Sequence, residues 1–174
     1  MRLNRPTWIL QAALMAAVTC TGTVARAADA ARSADATVIR RVVVSIADRK
    51  LALLENDRIV SIYPVAVGAP VSPSPVGTFS VVNRVSNPTY YKRGKVVGPG
   101  ARNPVGTRWI GLSAKGYGIH GTDKPRSIGF AKSHGCIRLR NEDVERLFEQ
   151  LRAGDVVELH AESTPDVARL FIER

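Results

Sequence analysis

The sequence predicts a single mainly β domain, closed as a barrel or packed as a sandwich, with one or two short helices. Three observations predict it. Short β-branched and aliphatic runs recur from Val38 onward, each bounded by turn residues. Gly- and Pro-rich stretches separate them, and a helical period appears clearly only once, after Asn141. Long crossover helices are absent, which argues against a parallel α/β sheet and for a barrel or sandwich. No internal repeat or second domain is visible.

The elements follow in order. Val42 to Ile46 is a strand run, closed by Ala47-Asp48-Arg49 before Leu51 to Leu54. Asn56-Asp57 is a hairpin turn, and Ile59 to Val67 a further strand ended by Gly68. Pro70, Pro73 and Pro75 cannot belong to a central strand and make a rigid loop before the strand Thr78 to Val85. Residues 86 to 106 read as a long Gly/Pro-rich loop carrying Tyr90, Tyr91 and the basic Lys92, Arg93 and Lys95. A loop of that length in a compact domain is usually a lid or binding loop. Trp109 to Leu112 and Gly118 to His120 are two short strands. Asn141 caps a helix whose Val144, Leu147, Phe148 and Leu151 fall at helical spacing, and Gly154 ends it. Val156 to Leu159 returns to strand, and Thr164-Pro165-Asp166 opens a short final helix.

The 174 residues allow one domain with tails, and an apolar share of 45% supports a sizeable core. Residues 1–27 read as an export signal: Arg2 and Arg5, an apolar stretch from Trp8 to Val18, then Ala25-Arg26-Ala27 as a small-x-small cleavage site. A membrane anchor is the competing reading. Gln11, Thr19, Thr21 and Thr23 dilute the run, however, and a spanning helix needs about 20 apolar residues. Lipid attachment at Cys20 is disfavoured by Thr19, where a smaller residue is expected. Residues 28–37 are an Ala-rich polar linker, 38–160 the folded domain and 161–174 a C-terminal tail. The expected location is therefore exported, in the periplasm or cell wall.

Cleavage would take three of the 25 basic residues and none of the 15 acidic ones, so that 22 against 15 leaves +7. The basic residues are scattered, with no dense run and no nucleic-acid motif, so no nucleic-acid partner is expected. Cleavage would also remove Cys20 and leave Cys136 as a lone thiol in an oxidising compartment, where cysteines are normally paired.

Chemistry concentrates in Ile119-His120-Gly121-Thr122 and Ser133-His134-Gly135-Cys136-Ile137-Arg138-Leu139. A thiol attacks as its thiolate, and an imidazole can generate it. His120, at a strand end 16 residues upstream, is the candidate base; His134 shares the Cys136 face if the chain is extended. Consecutive amides at Gly135 and Cys136 are candidates for an oxyanion hole. Asp123 is the only carboxylate between Thr122 and Ser133, so a backbone carbonyl is expected to orient the base. Three other readings stand beside this one: a zinc site of His120, His134 and Cys136, a buried core cysteine, and histidines that only pack. The zinc set lacks a fourth ligand or a catalytic Glu in a recognisable motif. No metal or other cofactor is expected.

Ser-His-Gly-Cys-Ile-Arg-Leu preceded by Ile-His-Gly-Thr resembles the signature of the L,D-transpeptidase catalytic domain, YkuD type. Tyr63 to Gly68, Ser74 to Phe79, Gly98-Pro99-Gly100 and Asn103 to Thr107 are similar to further segments of that family, so the resemblance covers roughly residues 40 to 160. It implies a β-rich domain acting on peptidoglycan stem peptides. Cys136 would attack the third stem residue's carbonyl and expel the terminal D-alanine, with His120 as base and the Gly121 carbonyl orienting it. Amides around His134, Gly135 and Cys136 would hold the oxyanion, with Ser133, His134 and Arg138 shaping the site. Tyr91 and Tyr117 are candidate substrate contacts. The acyl group would pass to a stem amine, to a lipoprotein lysine or to water, and carbapenems are expected inhibitors. Many relatives carry a wall-binding module; here the short linker implies that charge and groove find the wall. A non-catalytic wall-binding module is the reading outside enzymology, and retention of both Cys136 and His120 argues against it.

Overall fold

A computed structural model describes residues 38–172 apart from Arg93 and Ala101. The expected signal and linker lie outside the described residues, as does Arg93 of the basic cluster. Strand β1 (Arg40–Ser45) buries Val42, Val43 and Val44 completely or nearly so, because both of its faces are covered. It pairs antiparallel with β2 (Lys50–Glu55), which pairs antiparallel with β3 (Arg58–Pro64). Asn56 and Asp57 turn this second hairpin at φ 49° and 61°, the left-handed pair that a type I′ turn requires and that Asn and Asp tolerate.

The run from Ile59 to Val67 is not one strand. Pro64 has no N–H to continue the ladder, so β3 ends there and Val65-Ala66 leave the sheet edge. Ala66 then exchanges two 2.9 Å hydrogen bonds with Arg138 of β11 (Ile137–Arg138). Next comes β4 (Val67–Gly68), parallel to β10 (Ala131–Ser133). Gly68 has backbone of the Pro-rich loop where a Cβ would stand, and its N–H donates to Ser74 Oγ at 2.9 Å.

The long strand β5 (Gly77–Ser86) serves two neighbours. Its first half pairs with β12 (Val156–His160), and its second half pairs with β8 (Arg108–Leu112) around a bulge between Val81 and Asn83. β8 turns into β9 (Gly118–His120), which lies parallel to β11. The eight-stranded order is β11-β9-β8-β5-β12-β1-β2-β3. The Ala66–Arg138 bridge links chain leaving one edge to the other edge, which curls the sheet into a half-barrel. Two parallel pairs, β1/β12 and β9/β11, occur in it.

Helix α1 (Asn141–Gln150) lays Val144 and Leu147 into the core that Ile110 and Ile119 share. Its N-cap is Arg140, with no side-chain cap, whereas the sequence predicts Asn141 in that role. Glu142 and Asp143 complement the helix dipole in the first turn. Helix α2 (Pro165–Arg169) is capped by Thr164, whose side chain accepts from the Val167 N–H. Behind it Leu170 and Phe171 cover Val43, Ala52 and Leu54 on the outer sheet face, so the C-terminal tail is packed against the sheet.

Residues 86–106, expected as loop, contain a short ribbon of β6 (Tyr90–Lys92) and β7 (Lys95–Val97), with Tyr91 opposite Val96. Asn103 ties the ribbon down. Its Nδ2 donates to the carbonyls of Pro88 at 2.7 Å and Gly98 at 3.1 Å, and its Oδ1 accepts from the Val105 N–H at 2.9 Å. Buried amides this fully used hold a loop in one shape.

Candidate active site

His120 is the last residue of β9, opposite Trp109 on β8 and Arg138 on β11. It is 5% exposed and stacks on the Trp109 ring, with centroids 5.6 Å apart and planes at 21°. Its Nδ1 lies 2.5 Å from the Gly121 carbonyl oxygen. A carbonyl only accepts, so Nδ1 carries the proton and Nε2 keeps its lone pair. Burial holds the imidazole pKa down to about 4; the Gly121 carbonyl pulls it up and the nearby Arg138 charge pushes it down. His120 is therefore neutral at pH 7, as a base has to be.

The Cys136 turn is built by its neighbours. Ser133 is buried; its Oγ donates to the Cys136 carbonyl at 2.6 Å and accepts from the Gly135 N–H at 3.0 Å. Gly135 has φ 104°, and a Cβ there would stand 2.6 Å from the Tyr117 ring and 3.1 Å from the Pro73 carbonyl, so only glycine fits. One expectation is corrected: the Gly135 amide, a candidate for the oxyanion hole, is spent on Ser133. The His134 and Cys136 amides have no acceptor among the described residues and remain available.

Cys136 is half-buried, its Sγ 3.8 Å from the Gly116 carbonyl oxygen. Burial pushes its thiol pKa up, while a backbone hydrogen bond at Gly118 and the Arg138 charge pull the other way. Thiol and imidazole are both neutral at rest, so the proton moves when the sulfur attacks.

Cys136 and His120 open on one groove of about 900 Å³. His134 and Arg138 line it beside the thiol, and Tyr91 lines it from the ribbon. Tyr117 lies elsewhere, against Gly135, where it backs the turn. Gly121 and Ser133 do not line the groove; the Gly121 carbonyl accepts from His120 Nδ1, and Ser133 Oγ donates to the Cys136 backbone carbonyl. No cluster of three His, Cys, Asp or Glu side chains able to hold a metal occurs among the described residues, so the zinc set does not assemble. Sequence reasoning missed Trp109 as the stacking partner of His120, and the register of the β8–β9 hairpin is the signal that places them opposite. It also missed Asn103 and the link from Asn141 described below.

The L,D-transpeptidase catalytic domain family model matches residues 39–159. The chain is 44% identical over 111 residues to the YkuD protein of Bacillus licheniformis, covering 64% of this chain and 59% of that one. It is 39% identical over 118 residues to YqjB of Bacillus subtilis, covering 65% and 66%. Both bear an L,D-transpeptidase name, and the match spans less than two thirds of either. Among solved structures, an L,D-transpeptidase from Mycobacterium smegmatis shares the fold with a TM-score of 0.61 at 21% identity, over 71% of this chain and 59% of that one. LdtMt1, in complex with imipenem, gives 0.62 at 19% identity over the same 71% of this chain and 59% of its own. On the match over residues 39–159, the chain belongs to the L,D-transpeptidase catalytic domain family.

Proposed function

We propose that this chain is a cysteine-dependent L,D-transpeptidase acting on peptidoglycan stem peptides outside the cytoplasmic membrane, in the periplasm or wall. One observation carries the reading: a neutral imidazole whose Nε2 has no partner among the described residues shares a groove with the Cys136 thiol, beside two amides without acceptors among those residues. The Cys136 sulfur attacks the carbonyl of the third stem residue while His120 Nε2 takes the thiol proton. The amides of Cys136 and His134 stabilise the oxyanion. Collapse breaks the peptide bond, and His120 returns the proton to the departing D-alanine amine. An amine on a second stem then attacks the thioester, loses its proton to His120 and regenerates the thiol. A lipoprotein lysine or water serves the same chemistry as acceptor, giving anchoring or trimming instead of cross-linking.

Several observations support the finer points. Arg2 and Arg5, the apolar stretch from Trp8 to Val18 and Ala25-Arg26-Ala27 support export. Solved neighbours include an imipenem complex, a faropenem-derived adduct and an avibactam carbamoyl enzyme, which supports acylation of Cys136 by carbapenems and related compounds. The test is incubation with tetrapeptide-stem muropeptides. D-alanine release together with a new cross-linked dimer, both lost in Cys136→Ala, is the expected outcome. Binding without D-alanine release would return the chain to the wall-binding module.

A further inference from the structure

Four backbone polar groups around the base have defined partners, and one of those partners is a side chain with no role in the mechanism above. The His120 carbonyl accepts from the Leu139 N–H at 2.9 Å, and the Gly121 N–H donates to the Arg108 carbonyl at 3.2 Å. The Gly121 carbonyl takes the His120 Nδ1 proton at 2.5 Å. The Thr122 N–H donates to Asn141 Oδ1 at 3.1 Å, and the same oxygen accepts from the Thr107 N–H at 3.3 Å.

The Gly121 C=O and the Thr122 N–H are two ends of one peptide group, which is planar and trans. Holding the N–H end aims the C=O end. Two donors converge on that atom of Asn141, so it is the amide oxygen and not the nitrogen. The sequence makes room for it: a Cβ on either Gly106 or Gly121 would collide with Asn141 Oδ1. The helix does not use this side chain, since α1 has no side-chain cap.

Resting on the reading of His120 as the base, we infer that Asn141 is a positioning residue which sets the tautomer and orientation of His120 through the Gly121–Thr122 peptide. The chain of bonds runs Asn141 Oδ1, Thr122 N–H, Gly121 C=O, His120 Nδ1–H, leaving Nε2 for the thiol. It does for this imidazole what a carboxylate does in a Ser-His-Asp triad, but with a neutral side chain and a peptide group between. Polarisation along linked hydrogen bonds also makes the Gly121 carbonyl a better acceptor. Neither Asn141 nor the Gly121–Thr122 peptide lines the groove.

The experiment compares wild type, Asn141→Ala and Asn141→Asp in two readouts. Long-range proton–nitrogen NMR of the His120 ring reports which nitrogen carries the proton, and intact-mass kinetics report acylation of Cys136 by imipenem. Wild type is expected to hold the proton on Nδ1. Asn141→Ala should give mixed tautomers and acylate about ten- to a hundredfold more slowly, the range for lost outer partners of metal-bound histidines. Asn141→Asp keeps an acceptor of the same reach, and no acceptor of the Asn141 NH₂ occurs among the described residues, so it should stay close to wild type in both readouts. A folded Asn141→Ala with an unchanged tautomer and rate would overturn the inference. So would a folded Asn141→Asp that has lost either, which keeps the test decisive if the alanine variant fails to fold. If wild type itself is not acylated, the functional reading fails while the tautomer comparison still decides the role of Asn141.

Discussion

The two sides of the groove are held in different ways. On one side the Cys136 turn is locked at close range. Ser133 bridges it twice, Gly135 is wedged between Tyr117 and Pro73, and β11 is paired both to β9 and to Ala66. On the other side the ribbon of β6 and β7 pairs with itself, and Asn103 fastens it through Pro88 and Gly98. Tyr91 and Val96 of the ribbon are 74% and 67% exposed. Bond-making atoms need geometry held to fractions of an ångström, whereas contacts along a peptide can adapt. On the proposed function, the contrast puts the chemistry on the side bonded at several points and recognition on a ribbon fastened through one side chain.

Breaking the rigid side should have the largest effect. His120→Ala is expected to slow acylation by about 10² to 10⁴-fold, the range for a general base. A variant close to wild type would transfer the role to His134. In wild type the acid limb of the acylation rate should fall near pH 4, because His120 accepts a proton only while neutral and burial holds its pKa at about 4. A limb near the ordinary histidine value of about 6.5 would mean that the base is exposed to water. The same group links stability to pH. Its folded pKa lies below its unfolded one, so the unfolded chain binds more protons in that window, and the contribution of His120 to stability falls as pH drops from about 6.5 to 4.

Breaking the ribbon side should separate the two. Asn103→Ala leaves the buried Pro88 carbonyl without its partner, at about 1–3 kcal/mol where water cannot replace the amide, and frees the exposed Gly98 carbonyl and the half-buried Val105 N–H. The expected result is a lower melting temperature and a raised KM for stem peptide, with alkylation of Cys136 by iodoacetamide unchanged. Parallel loss of alkylation would show that the sides are one unit. Tyr91→Ala should have the smallest effect, a rise in KM of a few-fold with kcat kept, as for loss of uniform binding. A fall in kcat instead would place Tyr91 near the reacting atoms.

The same two sides differ in how far they can be read from sequence. His120, the Cys136 turn and the glycine beside it stand out because reactive residue types cluster within short motifs. The Asn56-Asp57 turn and the Thr164 cap are equally local, being decided by backbone conformation over a few residues. The ribbon does not stand out, since two strands of three residues each are too short to show a period. Closure of the half-barrel depends on Ala66 meeting Arg138, a pairing across 72 positions that no pattern announces. Asn141 is the instructive case. Its residue type marks a helix start correctly, but two backbone donors from distant loops outbid the helix for its side chain.

Intact-protein mass spectrometry before and after incubation with imipenem tests the central claim most directly, that Cys136 is an activated nucleophile in a peptide-shaped groove. The account predicts one adduct per chain, mapped to Cys136 and absent in Cys136→Ala. No adduct, with Cys136 also inert to iodoacetamide, would contradict it and make the residue a core cysteine.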